Sequence, residues 1–282
     1  MKKSIFLIFL FLAILQNIKA QEINTTENPS QTEVEKKLFL GLDIVNQYIW
    51  RGQAYGGNYI TLQPCIEYNF TDNFSFGIWA TSNLKKNMYS KDGITPEGYQ
   101  EFNIYATYFV NDNFSIKLSD YYYPSLDNEE ETNNKFFNYG EDAVKAIDLN
   151  LNFDFSEIWL PFNVSLSTLI AGNDFKYDEN DENPKRNYTS YIEIGYTFEA
   201  IFNTFDINTT VGNVLNNKAE YYTYADYNKP SFVNLNLEFS KTFQLNNNIS
   251  FPISLSYIHN EATKNTEPVG KNFIVTKFTL EY

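Results

Sequence analysis

The chain of 282 residues contains one cysteine, one histidine and two methionines. With Cys65 alone, no intramolecular disulfide, cysteine-based zinc cluster or CxxC redox pair can form, and Cys65 reads as a small strand residue. His259 is the sole imidazole available as a catalytic base, and no serine stands at a convincing spacing for a Ser–His pair, although Ser231 and Thr276 are near enough in the pattern to weigh. Basic residues are also few: 21 Lys and Arg face 35 Asp and Glu, a net charge of −14. A phosphate-binding surface needs the opposite sign, which argues against nucleic acid as a partner. No glycine loop for phosphate, metal-ligand cluster or cofactor signature is present. Gly56-Gly57 opens no helix and reads as a turn.

Only Ile5 to Leu15 forms a long apolar run. It follows a basic start and precedes small Ala20, the pattern of a secretory signal peptide over 1–20 cleaved near Ala20, and falls short of the ~20 residues a spanning helix needs. Cleavage would remove Lys2, Lys3 and Lys19 and no acid, taking −14 to −17. Residues 21–36 are polar and aperiodic, a flexible periplasmic lead-in. The remainder, 37–282, reads as one domain.

That remainder is rich in Tyr (22) and Phe (25) beside abundant Asn, Ser and Thr. Its segments alternate apolar and polar residues with the period of a strand. Twelve are predicted, near 38–50, 58–70, 74–83, 99–110, 114–123, 145–155, 161–171, 188–198, 203–213, 231–243, 249–259 and 272–282. Short connections (71–73, 111–113, 156–160, 199–202, 244–248) alternate with long ones. This predicts an all-β fold, a closed up-and-down antiparallel transmembrane β-barrel of about 12 strands with tight turns at one end. Thr71-Asp72-Asn73-Phe74-Ser75 recurs as Asn111-Asp112-Asn113-Phe114-Ser115 and is echoed at Asn247-Asn248-Ile249-Ser250, turn chemistry repeated two strands apart. In the last strand Phe278, Leu280 and terminal Tyr282 share one face with Ile274, the look of a C-terminal signal read by the barrel-assembly machinery. A soluble β-sandwich is the rival, but its strands are shorter, ~5–6 residues, and its polar faces carry more Lys and Glu.

Assigning Phe, Leu and Ile to outer-membrane lipid fixes the opposite face as lumen, because a one-residue slip inverts every side chain. The inward set then holds Asp43, Glu67, Glu101, Asp148, Asp154, Glu193, Asp206, Glu238 and Glu281 against Arg51, Lys117 and Lys277. Two interiors fit: a narrow, cation-leaning passage for small solutes, or a closed lumen filled by Tyr59, Trp79, Tyr105, Tyr121, Tyr191 and acid–base pairs. The first is the expected function and the second a structural or surface-interaction barrel. A His259-dependent hydrolase ranks below both, so no enzyme and no cofactor are expected. Acidic clusters at Asp127–Glu131 and Asp174–Glu182 lack EF-hand spacing and read as solvated charge.

The stretch Gly41-Leu42-Asp43-Ile44-Val45-Asn46-Gln47-Tyr48-Ile49-Trp50-Arg51-Gly52-Gln53, followed by Gly77-Ile78-Trp79-Ala80-Thr81-Ser82-Asn83, resembles the TorF-type family of bacterial outer-membrane porins. Tyr48, Trp50, Arg51 and Gly52 match its first element, and Gly77, Trp79, Ala80, Ser82 and Asn83 its second. Leu84 and Lys85-Lys86 depart from its acidic continuation. The resemblance implies an outer-membrane barrel with a channel role. On physical grounds Trp50 is expected to anchor the first strand at the outer interface, Gly52 to let the chain turn, and Arg51 to point inward toward a lumen or loop carboxylate.

Overall fold

The computed structural model describes residues 37–91, 93, 95–126, 134–156, 160–178, 180, 183–201, 204–222, 231–262 and 270–282. The expected signal peptide and lead-in, residues 1–36, lie outside them, as do 127–131 and, in the second acidic cluster, 179, 181 and 182.

Sixteen strands occur among the described residues: β1 (Leu38–Val45), β2 (Tyr48–Trp50), β3 (Gln53–Tyr55), β4 (Thr61–Thr71), β5 (Phe74–Ser82), β6 (Gln100–Asn111), β7 (Phe114–Tyr122), β8 (Lys145–Asp154), β9 (Phe162–Gly172), β10 (Phe175–Lys176), β11 (Lys185–Arg186), β12 (Ser190–Ile201), β13 (Phe205–Val214), β14 (Ser231–Asn246), β15 (Ile249–His259) and β16 (Asn272–Glu281). Twelve close into one antiparallel barrel, in the order β1, β16, β15, β14, β13, β12, β9, β8, β7, β6, β5, β4. The other four form two small hairpins, β2–β3 and β10–β11, inside the long connections. The closed all-β barrel of twelve strands is therefore the fold the alternation predicts.

Short turns gather at one end because their sequence favours tight reversal. Asn73 N–H donates to Thr71 Oγ1 (3.3 Å), Asn113 N–H to Asn111 Oδ1 (3.0 Å) and Asn248 N–H to Asn246 Oδ1 (2.9 Å). These local side-chain acceptors take backbone donors that the ladder leaves free at a reversal. Each of the three turns follows a register shift in the strand entering it, so the sequence repeat is one turn built three times.

The seam joins the two ends of the barrel segment. β1 pairs β16 from Gly41↔Glu281 to Val45↔Lys277, Leu40 and Tyr282 exchange backbone hydrogen bonds of 3.1 and 2.9 Å, and Thr279 Oγ1 donates to Asp43 Oδ1 at 2.6 Å. Closure removes both sheet edges, so no row of backbone donors is left unpaired. Phe278, Leu280 and Tyr282 lie on one face of this last strand.

Alternation sorts the two surfaces. Outward positions are apolar and exposed, among them Ile66, Phe70, Leu118, Ile194, Leu237, Tyr257 and Ile274. Inward positions are largely polar and buried, with Ser75 and Asp148 at 0% and Ser167 at 1% exposure, beside one apolar cluster of Val45, Ile258, Phe273 and Val275. This inverts the ordinary arrangement of a globular protein, in which large apolar side chains fill the interior.

β1 is shorter than predicted. The expected strand 38–50 leaves the sheet at Val45, because Asn46 Nδ2 and Gln47 Nε2 both donate to Ile274 O at 3.0 Å while Asn46 Oδ1 accepts Thr276 N–H at 2.8 Å. Amide side chains thus complete the β16 ladder, and the backbone is released into the barrel. Across the lumen wall, Gly212 on β13 faces the Tyr191 ring of β12. A Cβ there would fall within 2.8 Å of three Tyr191 ring and hydroxyl atoms. Gly212→Val is expected to displace the ring and cost about 1–3 kcal/mol, seen as a lower urea midpoint of the detergent-solubilised barrel; an unchanged midpoint would place the ring elsewhere.

Candidate functional site

The interior at the long-connection end is built around the β2–β3 hairpin. Trp50 pairs with Gln53 across a two-residue loop, Arg51-Gly52, with φ of 48° and 77°. Positive φ at both central residues is the two-residue hairpin geometry whose twist matches antiparallel strands, and glycine adopts it at little cost. Gly52 also passes close to β14: a Cβ would lie 1.7 Å from Val233 O, and Gly52 O accepts Asn260 Nδ2 at 2.9 Å. No other residue fits this tip.

Arg51 occupies the centre. Its guanidinium donates to Asp148 Oδ2 and Asn150 Oδ1 of β8, each at 3.0 Å, and to Tyr222 Oη at 2.5 Å. It also lies 4.5 Å from the Trp50 ring centroid and 4.8 Å from that of Tyr191. Asp148 is saturated in turn, accepting Tyr121 Oη at 3.0 Å and the Ser167 hydroxyl. With side-chain exposures of 13% and 0%, this ion pair is buried and held by further hydrogen bonds.

Aromatic rings complete the plug. Tyr222 stacks between Trp50 and Tyr191, with centroids 5.5 Å from each, while Tyr121 and Tyr221 meet Trp50 edge-on. Tyr48 packs against Tyr55, Trp79 and Tyr99. Trp50 therefore sits inside the barrel and not at the outer interface, a correction that follows from the chain leaving the wall at Asn46. Arg51 does point inward to a lumen carboxylate, and Gly52 does make the turn.

Several other inward acids accept hydrogen bonds from neutral partners. Glu101 accepts Tyr99 Oη (2.8 Å), Asn103 Nδ2 (2.6 Å) and Tyr48 Oη (3.4 Å). Glu193 accepts Asn234 Nδ2 (3.1 Å) and the Tyr191 hydroxyl, Glu238 accepts Asn208 Nδ2 (3.2 Å) and Ser256 Oγ (3.0 Å), and Glu281 accepts Ser250 Oγ (2.8 Å). Glu67, Lys117, Asp206 and Lys277 share the inward register, with Lys117 Nζ 3.8 Å from the Tyr105 centroid. Asp154, at the exposed rim, pairs with Asn163 at the short-turn end.

Of the aromatics weighed for a closed lumen, Trp79, Tyr121 and Tyr191 join this cluster. Tyr59 instead meets Glu97 and Lys85 in the long connections, and Tyr105 lies over Gly77. Tyr55, Tyr99, Tyr221 and Tyr222 were not singled out by the sequence; Tyr99 opens the predicted strand 99–110 with the parity of inward Glu101, whereas the other three carry only the tyrosine richness of the long connections, which has no period to orient them. Near the cluster, burial pushes the Asp174 carboxyl up against the downward pull of hydrogen bonds from Thr189.

His259 lies on the outward register, bonded to Asn272 Oδ1 (2.9 Å) and Glu261 Oε2 (3.1 Å), and the hydrogen bond from His259, then Lys271, holds the Glu261 carboxyl below its usual range. Its cross-strand partners are Leu235 and Asn272. Ser231 and Thr276 are each four residues away from those partners, roughly 13 Å along a strand, out of reach of the imidazole. A cavity of about 220 Å³ is lined by Trp50, Tyr55, Tyr99, Glu101, Tyr121 and Tyr123 with Asn173, Glu220 and Tyr221. A larger hollow, about 930 Å³, lies among Lys176, Lys185, Asn187 and Lys218 in the connections.

The family described as "Bacterial protein of unknown function (Gcw_chp)" matches residues 31–277, and the chain belongs to it. Among solved structures it is similar to the NanC porin (8% identity, TM-score 0.46, covering 86% of this chain and 97% of that one). It is also similar to the COG4313 outer membrane channel from Pseudomonas putida F1 (9%, 0.45, 91% and 99%) and to the KdgM porin (10%, 0.42, 86% and 98%). No curated protein matches the chain.

Arg51→Ala is expected to lower the heat-modifiable folded fraction on gels, since stripping one partner from a buried pair costs about 3–5 kcal/mol. Asp148→Ala should do the same, and the double variant should cost less than the sum. Strict additivity would show that the pair is not coupled.

Proposed function

We propose that this family member is an outer-membrane channel for small solutes, cation-leaning, whose passage is narrowed at the long-connection end by the β2–β3 hairpin. The observation that carries the reading is the two-solvent sorting of side chains. Outward Ile, Leu and Phe are exposed, while buried Ser, Thr, Asn and Asp face the axis, the requirement for a strand between lipid and a wet lumen. The similarity of Gly41–Gln53 and Gly77–Asn83 to TorF-type porins supports the same assignment.

Charge supports the cation preference. Asp43, Glu101, Glu193, Glu238 and Glu281 are held by neutral hydroxyl, phenol or amide donors. Their negative field is not cancelled locally, and acidic rings inside a low-dielectric wall concentrate cations. Arg51 and Asp148 neutralise each other at the hairpin. The constriction therefore acts through size more than sign.

A second reading, a barrel closed at rest, is favoured by the packing of the hairpin itself: Tyr222 is 0% and Tyr191 2% exposed within the plug. Planar-bilayer recording distinguishes the two. The channel reading expects wild-type conductance, a reversal potential of cationic sign in a KCl gradient, and larger conductance when 47–56 is replaced by a tight turn. Silence from the wild type with conductance from the shortened hairpin supports the closed barrel. Silence from both, with folding verified by heat modifiability, sinks the channel. The lipid assignment is tested separately by Ile194→Arg, whose outward charge at mid-strand should cost about 2–4 kcal/mol of barrel stability in bilayers; an unchanged stability would refute it.

A further inference from the structure

The geometry points to the cavity beside the hairpin as a binding site for a small organic cation of the alkylammonium type. Four features of the cavity carry this assignment. Its walls are aromatic on several sides, with Trp50, Tyr55, Tyr99, Tyr121, Tyr123 and Tyr221 around about 220 Å³. Ring faces carry negative quadrupole density, and clustered rings are the arrangement that desolvates and holds a quaternary ammonium.

The wall also carries a carboxylate of matching sign. Glu101 is bonded to Tyr99, Asn103 and Tyr48, all neutral donors, and among the described residues no Lys or Arg forms an ion pair with it. A half-buried carboxylate without a countercharge gains from a cation brought to it. Glu220 adds a second acid to the lining. Arg51, next to Trp50 in the hairpin, is already matched by Asp148 at 3.0 Å.

The third feature is access. Tyr123, Asn173, Glu220 and Tyr221 belong to the long connections that follow β7, β9 and β13, so the cavity lies at that end of the barrel. The fourth is rigidity. Trp50 is fixed by the Arg51-Gly52 turn and by stacking on Tyr222, and Tyr55 and Tyr99 pack with centroids 4.9 Å apart. A cage whose rings are already held loses little freedom on binding. The volume suits a ligand of choline size and excludes a folded peptide or an oligosaccharide.

The site does not depend on conduction, and its test does not use it. Choline binding to the full barrel in detergent, followed by calorimetry, is expected to be saturable and to weaken at least tenfold in Glu101→Gln and in Tyr55→Leu. Glucose, neutral and polar, should not bind. Tyr221→Ala, in a connection outside the barrel wall, serves if either variant fails to fold, and should weaken binding likewise. No choline binding by the folded wild type, equal binding by these variants, or preference for glucose over choline would overturn the assignment. None of these outcomes bears on bilayer conductance, so the two readings fail separately.

Discussion

Closure of the sheet is the constraint on which everything else rests. Because β1 and β16 pair from Gly41↔Glu281 to Val45↔Lys277, every barrel strand has two neighbours, and the backbone polar groups are satisfied within the cylinder. The side chains then have only two directions to take, and the period of two assigns them along each regular stretch of strand, with interruptions at register shifts such as Gly212/Asn213. An apolar exterior and a polar interior follow from that one geometrical fact together with the sequence alternation.

A closed cylinder of this size leaves an interior that polar wall residues alone do not fill, since twelve strands enclose more space than the eight of side-chain-filled barrels. The chain fills one end of it with its own first connection. Asn46 and Gln47 complete the neighbouring ladder with their side chains, the backbone turns inward, and a two-residue reversal delivers Arg51 to Asp148. Burying that pair is tolerable because each partner is saturated: Arg51 reaches Tyr222 and Asn150 as well, and Asp148 receives Tyr121 and Ser167. The aromatic rings exclude water from the pair and are fixed by it. Plug and cavity are thus two sides of one construction, the Trp50 ring belonging to both.

Much of this was legible in the residues. The Asx-type turns, repeated at Asp72-Asn73, Asp112-Asn113 and Asn247-Asn248, mark the short-turn end, and strict alternation places Asp43, Glu67, Glu193, Glu238 and Lys277 on the inward register. Local chemistry and the period of two suffice for both, since neither needs a partner distant in sequence. The fate of Tyr48-Ile49-Trp50 was not legible, because an alternating segment that continues a strand looks the same as one that leaves it. The decision was made by Ile274 and Thr276, more than 200 residues away, which accept and donate to the Asn46 and Gln47 side chains.

The sequence by itself determined the number of barrel strands, their antiparallel order, the inward acids and the sole imidazole, since each depends on short-range pattern or on composition. Tertiary structure alone decided which acids have a cation beside them, that Trp50 turns inward, and that Tyr55, Tyr99, Tyr121 and Tyr221 line one cavity with Glu101. Those facts arise where side chains from several connections meet at one end of the barrel, and convergence in space leaves no period along a chain.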